Sequence, residues 1–301
     1  MLNRVAARPV IPDRRVLFIV GSGRSGTTLV YEILCCDPAA AWISNYSQRL
    51  TRLARLHPRA PSGFKGSTTR FAVRPVEGYR LYDRVRARAG GAYDGVLTGQ
   101  DCSDREVGAL RRAIARHLSR RSADYFVSKN TRNTRRVGYL AAALPEATFV
   151  HVVRHPVAVV GSMLAVPFFD DVRIWWLGGA RVAELVARGH DRSLLAAEVW
   201  LRETAACDAA LSTVPESRRA VVHYEDFVDD PIDEVSSVLE LVDREPSPSL
   251  VRQIKARAIS NRNGPTMSRL TVEQQASIWS VVGDRAARYG YSLGDPGRLA
   301  Q

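Results

Sequence analysis

Lysine is almost absent from this 301-residue chain: Lys65, Lys129 and Lys255 are its only three. The excess of 43 Lys and Arg over 31 Asp and Glu, a net charge of +12, is therefore carried by arginine. Such a surplus favours anionic partners. Here it accompanies abundant Ala and Val and reads mainly as a coding bias. No aromatic-interleaved RNA motif or helix-turn-helix pattern accompanies it, so no nucleic-acid partner is expected. Cysteine is also scarce. Cys35, Cys36, Cys102 and Cys207 form no C-x-x-C and no Cys/His cluster, which excludes a zinc ribbon or a disulfide scaffold and fits reduced thiols in a cytoplasmic protein. No apolar run reaches membrane-spanning length. Residues 1–14 are basic and proline-containing, lack an apolar signal core, and are expected to fray. There is no internal repeat and no evident linker, so residues 1–301 are expected to form one domain. A composition of 46% hydrophobic and 25% charged residues is that of a globular chain.

What is present begins at residue 16. The apolar run VLFIV stops at Gly21-Ser22-Gly23-Arg24-Ser25-Gly26-Thr27-Thr28, and an apolar helical pattern follows. Strand, glycine-rich turn and helix start together form a phosphate cradle. Glycines let backbone approach an anion, and a helix N-terminus offers free N–H groups and a positive dipole end. The NTP-binding pattern is G-x-x-x-x-G-K-[ST]. Gly21, Gly26 and Thr28 fit it; Thr27 stands where lysine belongs, and the cation has moved into the turn as Arg24.

Strand patterns at 16–20, 95–98, 124–128, 148–153 and 220–224 alternate with helical patterns at 27–36, 104–120, 134–143, 156–164, 194–213, 231–242 and 272–289. This predicts an α/β fold: a P-loop-like parallel sheet flanked by helices in three α/β/α layers. Two irregular insertions, 45–93 and 167–192, are candidate lid or substrate-contacting segments. The second holds Phe168, Phe169, Trp175 and Trp176 and hints at an apolar or aromatic acceptor. In the first, Arg49, Arg52, Arg55 and Arg59 recur at helical spacing, as a solvated face or an anion-facing stripe, and hint instead at an anionic acceptor, so both acceptor classes stay open.

The 147–164 segment repeats the opening grammar: a strand ends at Arg154, Pro156 starts a helix, and Ser162 lies on its second turn. In open α/β sheets, ligands bind at the strands' C-terminal ends, so Arg154 shares an edge with the 21–28 loop. A nucleotide kinase would want a Mg²⁺-holding acid at such a strand end; this chain has a cation, which predicts that no metal is used. The third central strand runs into Lys129, one of the three lysines, on the same edge.

These motifs together, G-S-G-R-S-G-T-T after the first strand, S-K-N before a helix, and V-R-H-P-V-A-V-V-G-S, resemble the sulfotransferases that use 3′-phosphoadenosine 5′-phosphosulfate (PAPS). The arginine-containing loop looks nearer to the tyrosylprotein and carbohydrate branches. Tyr224-Glu225-Asp226 followed by Asp230-Pro231, and the 279–291 tail, resemble further family elements. The resemblance covers 16–36, 124–164, 196–242 and 270–291, about half the chain. It implies a nucleotide-binding transferase with PAPS as co-substrate and a small-molecule, glycan or peptide hydroxyl as acceptor. By the same resemblance, Gly23, Arg24, Ser25, Gly26, Thr27 and Thr28 bind the 5′-phosphosulfate. Arg24 and Lys129 face the bridging oxygen and sulfuryl group. Arg154 and Ser162 take the 3′-phosphate, and Tyr224 contacts the nucleotide. Relatives place a glutamate base about two dozen residues after the loop arginine. This chain has Asn45 near there, which cannot take up a proton usefully. Either another group serves, with His57, Glu77 and Asp101 as candidates and His57 expected among the catalytic residues, or the acceptor is acidic enough to need little help. A P-loop nucleotide kinase, or a non-catalytic nucleotide or nucleic-acid binder, are the alternatives to a sulfotransferase.

Overall fold

The computed structural model describes Ile11 and residues 15–49, 61–62, 72–85 and 95–294, with residue 84 described in its backbone alone. The expected fraying of 1–14 therefore lies, Ile11 apart, outside the described residues. So do His57, Arg52, Arg55 and Arg59.

The strands are β1 (Val16–Val20), β2 (Ala40–Ala41), β3 (Tyr125–Lys129), β4 (Thr148–Val153), a small hairpin of β5 (Arg173–Ile174) and β6 (Ala180–Arg181), and β7 (Arg219–His223). Five of them form one parallel sheet in the order β2-β3-β1-β4-β7. β1, β3 and β4 are buried along their whole length. This is why they read as unbroken apolar runs: each is covered on both faces. The faces nevertheless separate by the strand period of two. Val16, Phe18 and Val20 join Phe126 and Phe149 in one core, whereas Leu17 and Ile19 join Val127, Val150 and Val152 in the other.

The first core is closed by α3 (Asp104–Arg121), α4 (Val137–Ala143) and α7 (Arg192–Leu211), through Leu110, Ile114, Val137, Leu140 and Leu211. The second is closed by α1 (Thr27–Leu34), α9 (Pro231–Glu240) and α10 (Pro248–Lys255), through Val30, Leu34, Val235, Leu239 and Leu250. A third cluster joins α5 (Pro156–Leu164) to α7 and α12 (Val272–Ala287) around Val157, Trp200, Ile278 and Val282. The remaining helices are α2 (Tyr79–Val85), α6 (Val182–Ala187), α8 (Tyr224–Asp229) and α11 (Asn263–Met267). The expected three-layer α/β fold is what forms. All four cysteines are free, and Cys35, Cys36 and Cys207 are buried. Among the described residues no helix is long and apolar enough to cross a membrane.

Two expectations fail locally. Residues 95–98 form no strand. The neighbours of β1 are already β3 and β4, and Leu97 N–H instead donates to Arg135 O at 2.8 Å. Thr98 then caps a 3₁₀ turn at Gly99–Asp101, with reciprocal bonds to Asp101. The helix expected from residue 134 begins at Val137, because Asn130 Oδ1 accepts from Arg132 N–H and starts a 3₁₀ turn, Thr131–Arg135, first.

Candidate active site

The loop after β1 is shaped by two glycines that no other residue could replace. Gly21 has φ 145°, and a Cβ there would stand 2.3 Å from Val152 O. Gly26 has φ 92°, and its Cβ would meet the Tyr224 ring at 2.5 Å. Between them Arg24 takes a left-handed φ of 72°, a strained conformation for a non-glycine residue. Thr134 fastens the loop: its hydroxyl accepts from Gly21 N–H at 2.9 Å and donates to Gly21 O at 2.8 Å. Helix α1 then starts at Gly26 with no side-chain cap and no acid in its first turn, leaving its N–H groups for an anion. The Ser25 hydroxyl is buried without a partner.

Two arginines converge beside the loop. Arg24 Nε donates to Ser162 Oγ on α5 at 3.0 Å, so its guanidinium lies toward α5. Arg154, at the end of β4, donates to Arg24 O at 3.0 Å, to Asn263 Oδ1 at 2.8 Å and to Thr266 Oγ1 at 3.4 Å. Its guanidinium also lies 4.3 Å over the centre of the Tyr224 ring. Tyr224 thus supports Arg154 on one side and Gly26 on the other. Behind it, Glu225 accepts from Asn263 Nδ2 at 2.6 Å, His155 N–H at 3.1 Å and Tyr291 OH at 2.7 Å. Burial lowers the pKa of both Arg24 and Arg154, but a guanidinium stays charged at neutral pH. Gly161 makes this corner possible, since a Cβ on it would stand 2.2 Å from Thr266 O. Glu225 was marked in the sequence only as part of the Tyr224-Glu225-Asp226 element, without a role; Asn263 and Thr266 had no sequence signal, because they lie far along the chain on α11, which is too short to show a period.

The second cationic centre is Lys129, nearly buried at the end of β3. Its Nζ pairs with Glu77 Oε1 at 2.7 Å. Glu77 Oε2 accepts from Tyr79 OH at 2.8 Å and from Thr131 N–H at 3.3 Å. Asn130 Nδ2 donates to Glu77 O at 2.9 Å. Burial works against ionisation of Glu77, but the Lys129 ammonium and these donors outweigh it and hold the carboxyl below its ordinary value. The same surroundings push the Tyr79 phenol up, through burial and the adjacent carboxylate.

Asn45 explains how Glu77 arrives there. Its Oδ1 accepts from Arg74 N–H and its Nδ2 donates to Ala72 O, both at 3.1 Å. Ser44 bridges Pro75, and Val76 N–H donates to Ile43 O at 2.9 Å. Asn45 thus latches a second segment, and that segment delivers Glu77 three residues after Arg74. Asp101 is spent capping its 3₁₀ turn on the surface, and His57 is outside the described residues.

One cavity of about 580 Å³ joins these parts. It is lined by Gly23, Arg24, Gly26, Thr27 and Thr28, by Arg154, by Lys129 and Glu77, and by aromatic side chains of the second insertion. Glu203 of α7 also reaches it; burial raises its pKa against the pull of Arg135. The sheet order places the cavity where the chain changes direction beside β1, the usual ligand crevice of open α/β sheets.

An anion-binding loop, two convergent arginines and a lysine–carboxylate pair meet at one sheet edge, a site suited to an anionic ligand. Residues 17–248 match the model of the Sulfotransferase family, and the chain belongs to that family. The match is to the family as a whole and does not choose among its branches. The chain is 23% identical over 336 aligned positions to the omega-hydroxy-beta-dihydromenaquinone-9 sulfotransferase Stf3 of Mycobacterium bovis, covering 98% of this chain and 80% of that protein. Its fold is similar to that of the sulfotransferase STF9 of Mycobacterium avium, with TM-score 0.57, 18% identity, and 96% and 79% of the two chains covered. It is also similar to the sulfotransferase domain of the curacin biosynthetic pathway, with TM-score 0.53, 14% identity, and 94% and 99% covered. The chain is thus a sulfotransferase, in place of the nucleotide kinase or non-catalytic binder considered from sequence.

Proposed function

We propose that this enzyme moves a sulfuryl group from PAPS to an acceptor hydroxyl, with Glu77 as general base. One observation carries the reading: the Lys129–Glu77 pair faces the same cavity as the uncapped start of α1. The chain acts as one catalytic domain, with Glu77, Tyr79 and the 167–192 segment framing the acceptor side.

The residues present fit the donor. The N–H groups of Gly26 to Thr28 are the natural seat of the 5′-phosphosulfate, Ser25 N–H being bonded to Ser22 O at 3.2 Å. Arg24, Arg154 and Ser162 form a cationic corner suited to the 3′-phosphate, where planar guanidinium forks can bind two oxygens each. Tyr224 serves the nucleotide site by holding Arg154 and Gly26. Lys129 meets the oxygen that bridges phosphate and sulfur. As the S–O bond to the 5′-phosphate breaks, its electron pair stays on the phosphate, and a cation placed there stabilises the transition state more than the ground state. A new S–O bond forms to the acceptor oxygen, and the acceptor proton passes to Glu77. That hydroxyl becomes strongly acidic once its oxygen bonds to sulfur, so a carboxylate of low basicity is sufficient late in the transfer. The fixed cations do for charge what a divalent ion does in a kinase, so transfer is expected to proceed in EDTA.

The test follows release of adenosine 3′,5′-bisphosphate from PAPS in the presence of hydroxyl acceptors and EDTA. Glu77→Gln should lower turnover about 10²- to 10⁴-fold while bisphosphate binding survives. Full turnover by Glu77→Gln together with an inactive His57→Ala would move the base to His57.

A further inference from the structure

We infer that the acceptor is an alcohol carried on an extended apolar body, and not a sugar or a peptide; this rests on the sulfuryl-transfer reading above. The cavity changes character along its length. The loop and the two arginines make one end polar. Elsewhere its lining holds Met163, Phe168, Phe169, Val172, Trp175 and Trp176, with Arg132, Arg135, Asp171 and Arg173 among them. The change begins at the loop itself, since a Cβ on Gly23 would stand 3.9 Å from Met163 Cε.

The aromatic end is built to be stiff. Arg192 pairs with Asp170 at 2.8 Å and lies 5.3 Å over the Phe169 ring. Trp176 Nε1 donates to Glu198 at 3.0 Å, and Arg202 covers its ring at 4.9 Å. Trp175 meets Trp176 edge to face at 5.4 Å and lies under Arg135 at 5.7 Å. Most charged groups at this end have work inside the protein: Arg132 pairs with Asp83, Arg135 faces Glu203 at 3.8 Å, and Arg173 donates to Gly179 O, while Asp171 is exposed. A wall of rigid rings, with Trp175 Nε1 as its buried donor left without a partner, rewards apolar surface and offers the many hydroxyls of a sugar too few partners to replace the water they would lose.

The apolar surface does not stop at the cavity mouth. Phe168, which lines the cavity, is 54% exposed. Val96 is 40% exposed, next to Gly95, where a Cβ would stand 3.7 Å from the Trp175 ring. Exposed apolar side chains gathered around a cavity of matching character mark a binding surface. The cavity must also admit the sulfuryl end of the donor, so a long body continues outward across this rim. The acceptor hydroxyl sits at its buried tip, beside Glu77.

The experiment uses the whole chain with PAPS and a series of straight-chain primary alcohols of four to twelve carbons, beside glucose, N-acetylglucosamine and a tyrosine-containing peptide. Adenosine 3′,5′-bisphosphate binding is measured separately. Each added methylene should raise kcat/KM about three- to fourfold until the rim is covered. Phe168→Ser, at a half-exposed site where folding is not at stake, should flatten that slope for the longer alcohols through KM and leave bisphosphate binding intact. A flat series, a preference for sugar or peptide, or no reaction with any alcohol while the bisphosphate binds would overturn the acceptor class alone. Failure to bind the bisphosphate would overturn the donor reading and this inference with it.

Discussion

Lys129 shows what a single scarce residue can be worth. Its ammonium is nearly buried and meets a carboxylate that keeps about a quarter of its surface in water. In Lys129→Met the carboxylate loses its counter-charge and keeps its burial. Removing one partner of such a pair costs about 2 kcal/mol, less than for a fully dry pair because Glu77 is partly solvated. The pH profile should move as well. With Lys129 present the Glu77 pKa is depressed, so the carboxylate is ionised down to below its ordinary value of 4.5. Its contribution to stability is then held above pH 4.5 and lost as pH falls through the lower folded value. In Lys129→Met the remaining influence is chiefly burial, which raises the pKa, so the acid limb of turnover should shift upward. An unmoved limb would remove Glu77 from the proton transfer. The position of Lys129 was legible in the sequence because a strand-to-turn pattern fixed the sheet edge. Its partner was not, beyond a place among three candidates. Glu77 reaches the site through Asn45 and the 43–45 to 74–76 pairing, a contact between segments with no period to announce it.

At the scale of elements, legibility followed length and burial. β1, β4 and α5 have the expected bounds, because central strands and an apolar helix opened by Pro156 carry strong local signals. The short pieces, β2, the β5–β6 hairpin and α11, are defined by what they pack on, and sequence pattern passes over them. α11 matters most, since Asn263 and Thr266 hold Arg154 from it. Gly161→Ala tests that dependence. The added methyl would meet a backbone oxygen, Thr266 O, at 2.2 Å, and no side chain can swing aside to relieve it. Overpacking of this kind costs about 1–3 kcal/mol. It should also weaken adenosine 3′,5′-bisphosphate binding by displacing the partners of Arg154, although Gly161 itself carries no polar side chain. Denaturation midpoints and bisphosphate titration check the two effects; a destabilised variant with undisturbed binding would separate α11 from the nucleotide site.

For the whole molecule the question is what a charge of +12 is for. Much of the arginine is spent internally. Arg111 pairs with Glu146, Arg257 with Glu32 and Arg285 with Asp208, each within 3.0 Å. These pairs join helices on the sheet's flanks, and of the cations lining the cavity Arg132 and Arg135 face Asp83 and Glu203, leaving Arg24, Arg154 and Lys129 as the set nearest the loop. A molecule organised this way should respond to one small anion more than to long polyanions. A ligand that binds the folded state alone stabilises it by about 2.7 kcal/mol at one hundred times its Kd. For a chain of this size that corresponds to a rise in Tm of about 5 °C. Adenosine 3′,5′-bisphosphate in EDTA should produce a rise of that order. Adenosine should produce almost none, because it has nothing to offer the start of α1 or the arginine corner. The shift should shrink only modestly when salt rises, since Arg154 is buried and a buried cation is screened less than a surface one. A shift abolished by moderate salt, or matched by a nucleic-acid mixture, would place the binding on the arginine-rich surface instead of in the cavity.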